Sequence, residues 1–179
     1  LRDANHIRDS LWAREVTESV TKHSDSDLDS VVDLFYFVVN TIRIVPDDDS
    51  LPFGPFESAL YGLGSGEDRA WAFATLLRQR RIPTFVFAGQ PSGDAGILSK
   101  NLIVGTLLND TVYLFDAGLG LPIASPDESG TAALVRQPAT LIQVLGDAAV
   151  LKNMGPDETT PYRISLEQFK MLQPQIIGD

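Results

Sequence analysis

The chain has 179 residues, of which 44% are hydrophobic, and this composition favours one folded domain with a substantial core. Its 14 Lys and Arg residues against 24 Asp and Glu residues give a net charge of -10, which repels a phosphate backbone and argues against nucleic-acid binding. No apolar run reaches the roughly 18 to 20 residues that a membrane span requires. The absence of Cys excludes disulfides, thiolate metal sites and thiol catalysis.

Two helices are predicted in the first part of the chain. Between residues 8 and 22, apolar side chains recur with a spacing near 3.6, which predicts an amphipathic helix over the core (Leu11, Trp12, Val16, Val20). The polar run from Ser24 to Asp27 supplies N-cap residues for a second, largely buried helix from about Leu28 to Asn40. The aspartates of this region fit capping better than a calcium loop, because the glycine that such a loop needs is absent.

Turn formers dominate the next stretch. Residues 46 to 56 combine prolines with three consecutive aspartates and predict a surface loop, with metal binding as the minor alternative. Gly62 to Gly66 lacks the Lys and Ser/Thr that end a phosphate-binding loop, so its glycines are interpreted as the backbone entry to a helix. Ser65, three residues ahead of Asp68, predicts a capping box at that entry.

A helix and three strands are predicted to form the core. The helix begins near Gly66 and ends near Arg81, and its apolar residues form one stripe. Strand-like runs follow at 84 to 88, 102 to 108 and 111 to 116. Since Asn109-Asp110 suits a two-residue hairpin turn between the last two runs, the helix is expected to pack on an antiparallel sheet.

Local signals in the remaining segments predict smaller elements. The Gly-, Pro- and Ser-rich residues 89 to 99 predict an exposed excursion. Two short helices are predicted at 139 to 144 and 148 to 154, and Ser165 opens a last helix through a capping-box pattern. Pro174 is expected to end that helix and leave a short extended tail.

The segment from Gly64 to Arg78, closed by Arg81-Ile82-Pro83, resembles the catalytic helix of the transglutaminase-like cysteine hydrolases. In that family a Gly-rich turn delivers a Cys to the first turn of a buried helix reading Cys-x-Asp-x-Ala, followed by Leu-Leu-Arg and Gly-Ile-Pro. The resemblance places Asp68 and Ala70 on the Asp and Ala of the motif. Gly66 then stands at the position of the nucleophilic Cys.

The order of elements downstream extends the resemblance over residues 28 to 118. The family's catalytic His falls on Asn101 and its Asp on Asp116. The fold that this resemblance implies is α+β, with a transglutaminase-like or papain-like core in which a buried helix packs on an antiparallel β-sheet. Additional N- and C-terminal helices complete a single domain over residues 1 to 179.

Two of the three triad positions lack catalytic side chains. Glycine has no nucleophile, and Asn101 forms hydrogen bonds but does not titrate. Both histidines, His6 and His23, precede the region of resemblance and are interpreted as surface residues. The resemblance therefore implies a catalytically inactive binding or structural module without cofactor or metal.

Four residues are the candidate ligand contacts of the vestigial cleft: Ser65, Trp71, Asn101 and Asp116. Trp71 is interpreted either as a support for the floor of the cleft or, in preference, as a core residue. Asp116 is either a ligand contact or a cap for the turn that follows it. Expected partners are a peptide, a glycan or neighbouring domains of the same chain.

Two other functions compete with this interpretation. A hydrolase could have rebuilt its chemistry around Ser65, although no His of the core is at hand as its base. A pure packing domain would contain the same residues and would neither bind nor react. Because Leu1 begins the chain without a signal pattern, we expect a segment of a larger bacterial protein, with the cell envelope or secretion as the expected context and the compartment left open.

Overall fold

The computed structural model describes residues 2–45, 54–88, 102–127, 134–155 and 162–176. The helices are α1 Arg2–Val20, a 3₁₀ turn at Thr21–His23, α2 Asp27–Thr41, α3 Pro55–Tyr61, α4 Gly66–Gln79, α5 Leu141–Gly146, α6 Ala148–Lys152 and α7 Leu166–Met171. The strands are β1 Arg43–Ile44, β2 Leu63–Gly64, β3 Thr84–Ala88, β4 Ile103–Leu108, β5 Thr111–Asp116, β6 Leu121–Pro122 and β7 Gln173–Ile176.

Five of these strands form one antiparallel sheet in the order β6-β5-β4-β3-β7. The hairpin between β4 and β5 turns at Asn109 and Asp110, which both have positive φ values, 47° and 61°. Asn and Asp tolerate this left-handed backbone, and such a two-residue turn matches the twist of the flanking strands. The short strands β1 and β2 pair in parallel just before α4 and fix its starting point.

One face of the sheet carries the first hydrophobic core. Helices α2 and α4 contact Phe115 on this face, and α1 joins the same core by packing on α2 and α4. The rings of Phe35, Phe73 and Phe115 meet with centroids 5.1 to 5.3 Å apart, so α2, α4 and β5 share one aromatic cluster. This cluster places the buried side of α4 against the sheet.

The opposite face of the sheet is also covered. Phe87, Ile103 and Leu114 point into a second core that is completed by residues of α5, α6 and α7. Because both faces are buried, β4 carries consecutive buried residues instead of an alternating pattern. The structure is thus α+β, as predicted, with the sheet between two helical layers.

Most predicted elements are confirmed, with shifted ends. Helix α1 begins at Arg2, earlier than the expected residue 8. Ala13 and Thr17 lie on its buried side, whereas Leu11, which was expected there, is 45% exposed. Helix α2 begins after Ser26, whose side chain accepts a hydrogen bond from the backbone of Asp29. Helix α4 and the three predicted strands lie within two residues of their expected bounds.

One predicted element was wrong. Residues 55 and 56 belong to α3 and not to a surface loop, because Pro55 occupies the first helical turn, where its missing N–H is not needed. The C-terminal tail is extended, as predicted, and it forms strand β7, which pairs with β3 at the edge of the sheet, the position where a strand tolerates Pro174. Residues 89 to 99 and the three aspartates of the predicted loop lie outside the described residues.

The two short C-terminal helices are present as α5 and α6, and α7 opens with the predicted Ser165 and Gln168 capping box. Across the described ranges, none of the helices combines the length and the apolar character needed to cross a bilayer.

Candidate functional site

The predicted site lies at the start of α4, where a capping box fixes the first turn. The Ser65 hydroxyl oxygen accepts a hydrogen bond from the Asp68 N–H at 3.1 Å, and the Asp68 carboxylate accepts from the Ser65 N–H at 2.7 Å. The Ser65 hydroxyl also donates to that carboxylate at 2.9 Å. The predicted capping box is therefore confirmed, and both hydrogen-bonding functions of the Ser65 hydroxyl are used locally.

Gly66, the residue that the resemblance aligns with a nucleophile, lies against the turn that follows β5. A Cβ atom built on Gly66 would be 3.1 Å from the Cα of Gly118 and 3.6 Å from its backbone nitrogen. Carbon atoms prefer separations of about 3.5 to 4.0 Å, so a side chain at this position would push against the backbone. The structure thus brings the start of α4 to the end of β5 with little room between them.

Asp116, the last residue of β5, is fully buried and hydrogen-bonded on both carboxylate oxygens. The Leu119 N–H donates to Oδ1 at 2.7 Å, so Asp116 caps the turn after its strand, one of its two predicted roles. The Tyr162 hydroxyl donates to Oδ2 at 2.6 Å, and the Arg163 guanidinium donates to Oδ1 and forms an ion pair with it. The Asp116 carboxylate is thus bound by two residues of the C-terminal segment.

Burial raises the pKa of the Tyr162 phenol above its ordinary value, and the neighbouring Asp116 carboxylate raises it further. A phenolate beside this carboxylate would be desolvated and repelled by a like charge. The neutral Tyr162 therefore belongs to the folded state and acts as a hydrogen-bond donor.

This raised pKa predicts a pH dependence of stability. The contribution of Tyr162 is fully present below the pKa of an unfolded tyrosine, about 10, and is lost as the pH rises above it, because only the unfolded chain then releases the proton. We expect Tyr162→Phe to show a shallower alkaline fall in the free energy of unfolding than the wild type. Urea unfolding at a series of alkaline pH values measures this. Equal slopes in the two proteins would contradict the assignment.

A second buried charge, Arg69, anchors the site from α4. Its Nε donates to the Ile42 carbonyl at 2.7 Å, and its two terminal nitrogens donate to the carbonyls of Val39 and Ala117 at 3.3 Å. Burial lowers the pKa of Arg69 from its ordinary value. The side chain joins the end of α2 to the turn after β5, so it holds together the elements that frame Gly66.

Two of the predicted ligand contacts, Asn101 and Trp71, remain to be placed. Asn101 lies outside the described residues. Trp71 is 44% exposed on the outer face of α4, where its indole N–H lies 3.4 Å from Glu67, so the preferred interpretation of Trp71 as a core residue was wrong. Its neighbours on that face, one helical turn away in each direction, are Glu67 and Thr75. The spacing of four residues is visible in the sequence, and it was the signal that could have placed Trp71 on the polar face.

Tyr162 and Arg163 were missed by the sequence reasoning. They lie 46 and 47 residues beyond Asp116, outside the region of resemblance, and no local pattern marks them as partners of a carboxylate. Arg69 was also missed, since an Arg in the first turns of a helix ordinarily faces solvent.

An open cleft of about 300 Å³ lies at the other end of α4, between α1 and the start of α3. It is lined by residues that include His6, Trp12, Phe56 and Gln79. His23 is also close to this end of α4. It follows Thr21 by two residues, and Thr21 accepts a hydrogen bond from Arg80, the C-cap residue of α4. A 14-residue helix rises about 20 Å from end to end, so both histidines are remote from Ser65.

Among the described residues, no three His, Asp or Glu side chains are grouped in a way that could hold a metal ion. Comparisons with protein-family models, with curated proteins and with solved structures found no match to this chain.

The capping role of Ser65 predicts a purely structural effect of its removal. We expect Ser65→Ala to lower the free energy of unfolding by about 1 kcal/mol, the usual cost of losing an N-cap. Chemical denaturation of both proteins measures the difference. Ser10→Ala, on the exposed surface of α1, is the matched control and should change stability by no more than about 0.5 kcal/mol. An unchanged stability for Ser65→Ala would contradict the capping role.

Proposed function

We propose that this chain is a catalytically inactive transglutaminase-like domain that serves as a binding or structural module of a larger bacterial protein. The observation that carries this proposal is the state of the two described triad positions. Gly66 supplies no nucleophile and faces the backbone of Gly118 at a distance that crowds even a Cβ atom. Asp116 is engaged by a tyrosine, an arginine and a backbone N–H.

Chemistry supports the inactive interpretation. A triad carboxylate orients an imidazole by accepting its N–H, and its two oxygens offer about four acceptor positions. Asp116 already accepts three hydrogen bonds from groups of the chain itself, two on Oδ1 and one on Oδ2. A cysteine nucleophile is ruled out by composition, because the chain has none.

The alternative, a hydrolase rebuilt around Ser65, has less support. An activated serine donates its proton to a general base, and the Ser65 hydroxyl donates to Asp68 within its own helical turn. A carboxylate in this position fixes the helix start, and the two histidines lie toward the opposite end of α4.

Activity measurements test the proposal. We expect no hydrolysis of glutamine or peptide amides and no amine transfer above the buffer background, because loss of a triad nucleophile or base typically removes several orders of magnitude of rate. A fluorophosphonate probe should label neither the wild type nor Ser65→Ala. Stoichiometric labelling that disappears in Ser65→Ala would favour the serine hydrolase, and amide turnover by the purified chain would overturn the inactive interpretation.

A further inference from the structure

Asp116 is a buried carboxylate whose hydrogen-bond donors come from the chain itself. The carboxylate is completely buried, while the side chain of Arg163 that pairs with it is 35% exposed. Of the three groups that donate to Asp116, the Leu119 N–H belongs to the same turn and Tyr162 is half-buried with its hydroxyl at the carboxylate. Arg163 is the donor that approaches from the solvent side.

Because Gly118 has no side chain, the Arg163 guanidinium can lie directly against its backbone. A Cβ atom built on Gly118 would lie 2.6 Å and 3.1 Å from the two terminal nitrogens of Arg163 and 3.2 Å from its Cζ. The planar guanidinium therefore occupies the space that any other residue would fill with its side chain. Glycine is what allows a planar cation to lie against the backbone here.

We propose that Asp116, Gly118 and Tyr162 form a guanidinium-binding site, which Arg163 occupies in the resting chain and which an arginine side chain of a peptide ligand occupies in its place. This inference rests on the proposed function, of which it specifies the ligand class. A guanidinium suits the site better than an ammonium because it is planar, is weakly hydrated and donates through a rigid fork.

Charge also favours such a ligand. The chain carries a net charge of -10, so a basic peptide is attracted to it over several ångströms, while an acidic one is repelled. Moving the Arg163 guanidinium from this position into water changes its solvation free energy little, since about one third of its side chain is already exposed. Loss of its partner leaves the buried Asp116 carboxylate uncompensated, which is costly, and exchange of one arginine for another keeps it paired.

The experiment uses the variant Arg163→Gln, which empties the site and keeps the carboxylate. The probe is an arginine blocked at both ends, N-acetyl-arginine N-methylamide, titrated into the protein and followed by NMR. We expect the variant to bind this probe at least about tenfold more tightly than the wild type, in which Arg163 competes for the site. The equivalent blocked lysine should bind the variant at least about tenfold more weakly than the blocked arginine does.

The matched control is Arg163→Gln combined with Gly118→Ala, in which a methyl group fills the guanidinium position and Asp116 is retained. Binding of the blocked arginine should be lost in this folded double variant. Equal binding by the single and double variants, or no binding by folded Arg163→Gln, would mean that Arg163 and Asp116 form a fixed internal ion pair and would overturn the inference. Released methylamine in the same spectra would instead overturn the inactive interpretation and leave the binding result standing.

Discussion

Asp116→Asn is expected to lower the free energy of unfolding by about 3 kcal/mol. Asparagine keeps the size of the side chain, but its amide nitrogen meets the donors that now surround the carboxylate, namely Tyr162, Arg163 and the Leu119 N–H. Breaking a buried ion pair by neutralising one partner costs about 3 to 5 kcal/mol, and the partial exposure of Arg163 places this pair at the lower end. Urea unfolding of the wild type and variant measures the difference.

The exposed Asp127 offers a matched control for this substitution. Asp127→Asn changes the same atoms on the surface and should alter stability by no more than about 0.5 kcal/mol. A double-mutant cycle with Arg163→Gln then isolates the pair. Each single variant already breaks the interaction. The loss of unfolding free energy in the double variant should therefore be smaller than the sum of the two single losses, by about 1 kcal/mol or more. Additive losses would show that Asp116 acts through Tyr162 and the turn alone.

The parts of the fold that the sequence predicts well are those whose signals are local. The start of α4 follows from Ser65 and Asp68, three residues apart, and both groups of the box bond as the pattern requires. The hairpin at Asn109 and Asp110 follows from two adjacent residues that tolerate a positive φ. In each case the residues that carry the signal also make the contact.

Failures occur where the deciding contact comes from a distant part of the chain. The extended tail was predicted, but its pairing with β3 as strand β7 was not, because that pairing depends on a strand about 90 residues earlier in the chain. The environment of Asp116 depends on Arg163, whose role a motif confined to residues 28 to 118 cannot contain. At Pro55 two local signals disagree. The composition of the stretch is typical of a loop, whereas a proline is also favourable in the first turn of a helix, which is where the structure places Pro55.

The second large effect concerns Arg69, because its side chain donates to three backbone carbonyls, two at the end of α2 and one in the turn after β5. The carbonyl of Val39 lies in the last turn of α2, where the helix no longer supplies an N–H: the N–H four residues on, that of Arg43, bonds to Gly62 instead. The carbonyl of Ile42 lies just beyond that end, and the carbonyl of Ala117 follows β5. One guanidinium fork therefore caps a helix and ties it to the sheet.

We expect Arg69→Met to lower the free energy of unfolding by about 2 to 4 kcal/mol. Methionine fills a similar volume, but it leaves up to three carbonyls without a donor, each at a cost of about 1 to 3 kcal/mol. Part of this loss is offset, since the variant no longer desolvates the guanidinium whose pKa burial lowers. The cost of leaving up to three carbonyls without this donor is larger than the desolvation cost of the one charge that the variant removes.

Two further variants separate the hydrogen bonds of Arg69 from its charge. Arg69→Lys keeps a cation but cannot reach three divergent carbonyls from a single ammonium, so its stability should lie between those of the wild type and Arg69→Met. Arg43→Met removes an exposed arginine from the adjacent β1 and should change stability by no more than about 0.5 kcal/mol. If Arg69→Lys matched the wild type, the charge alone would explain the stabilisation. Stability of Arg69→Met equal to that of the wild type would mean that water satisfies the carbonyls once the guanidinium is gone.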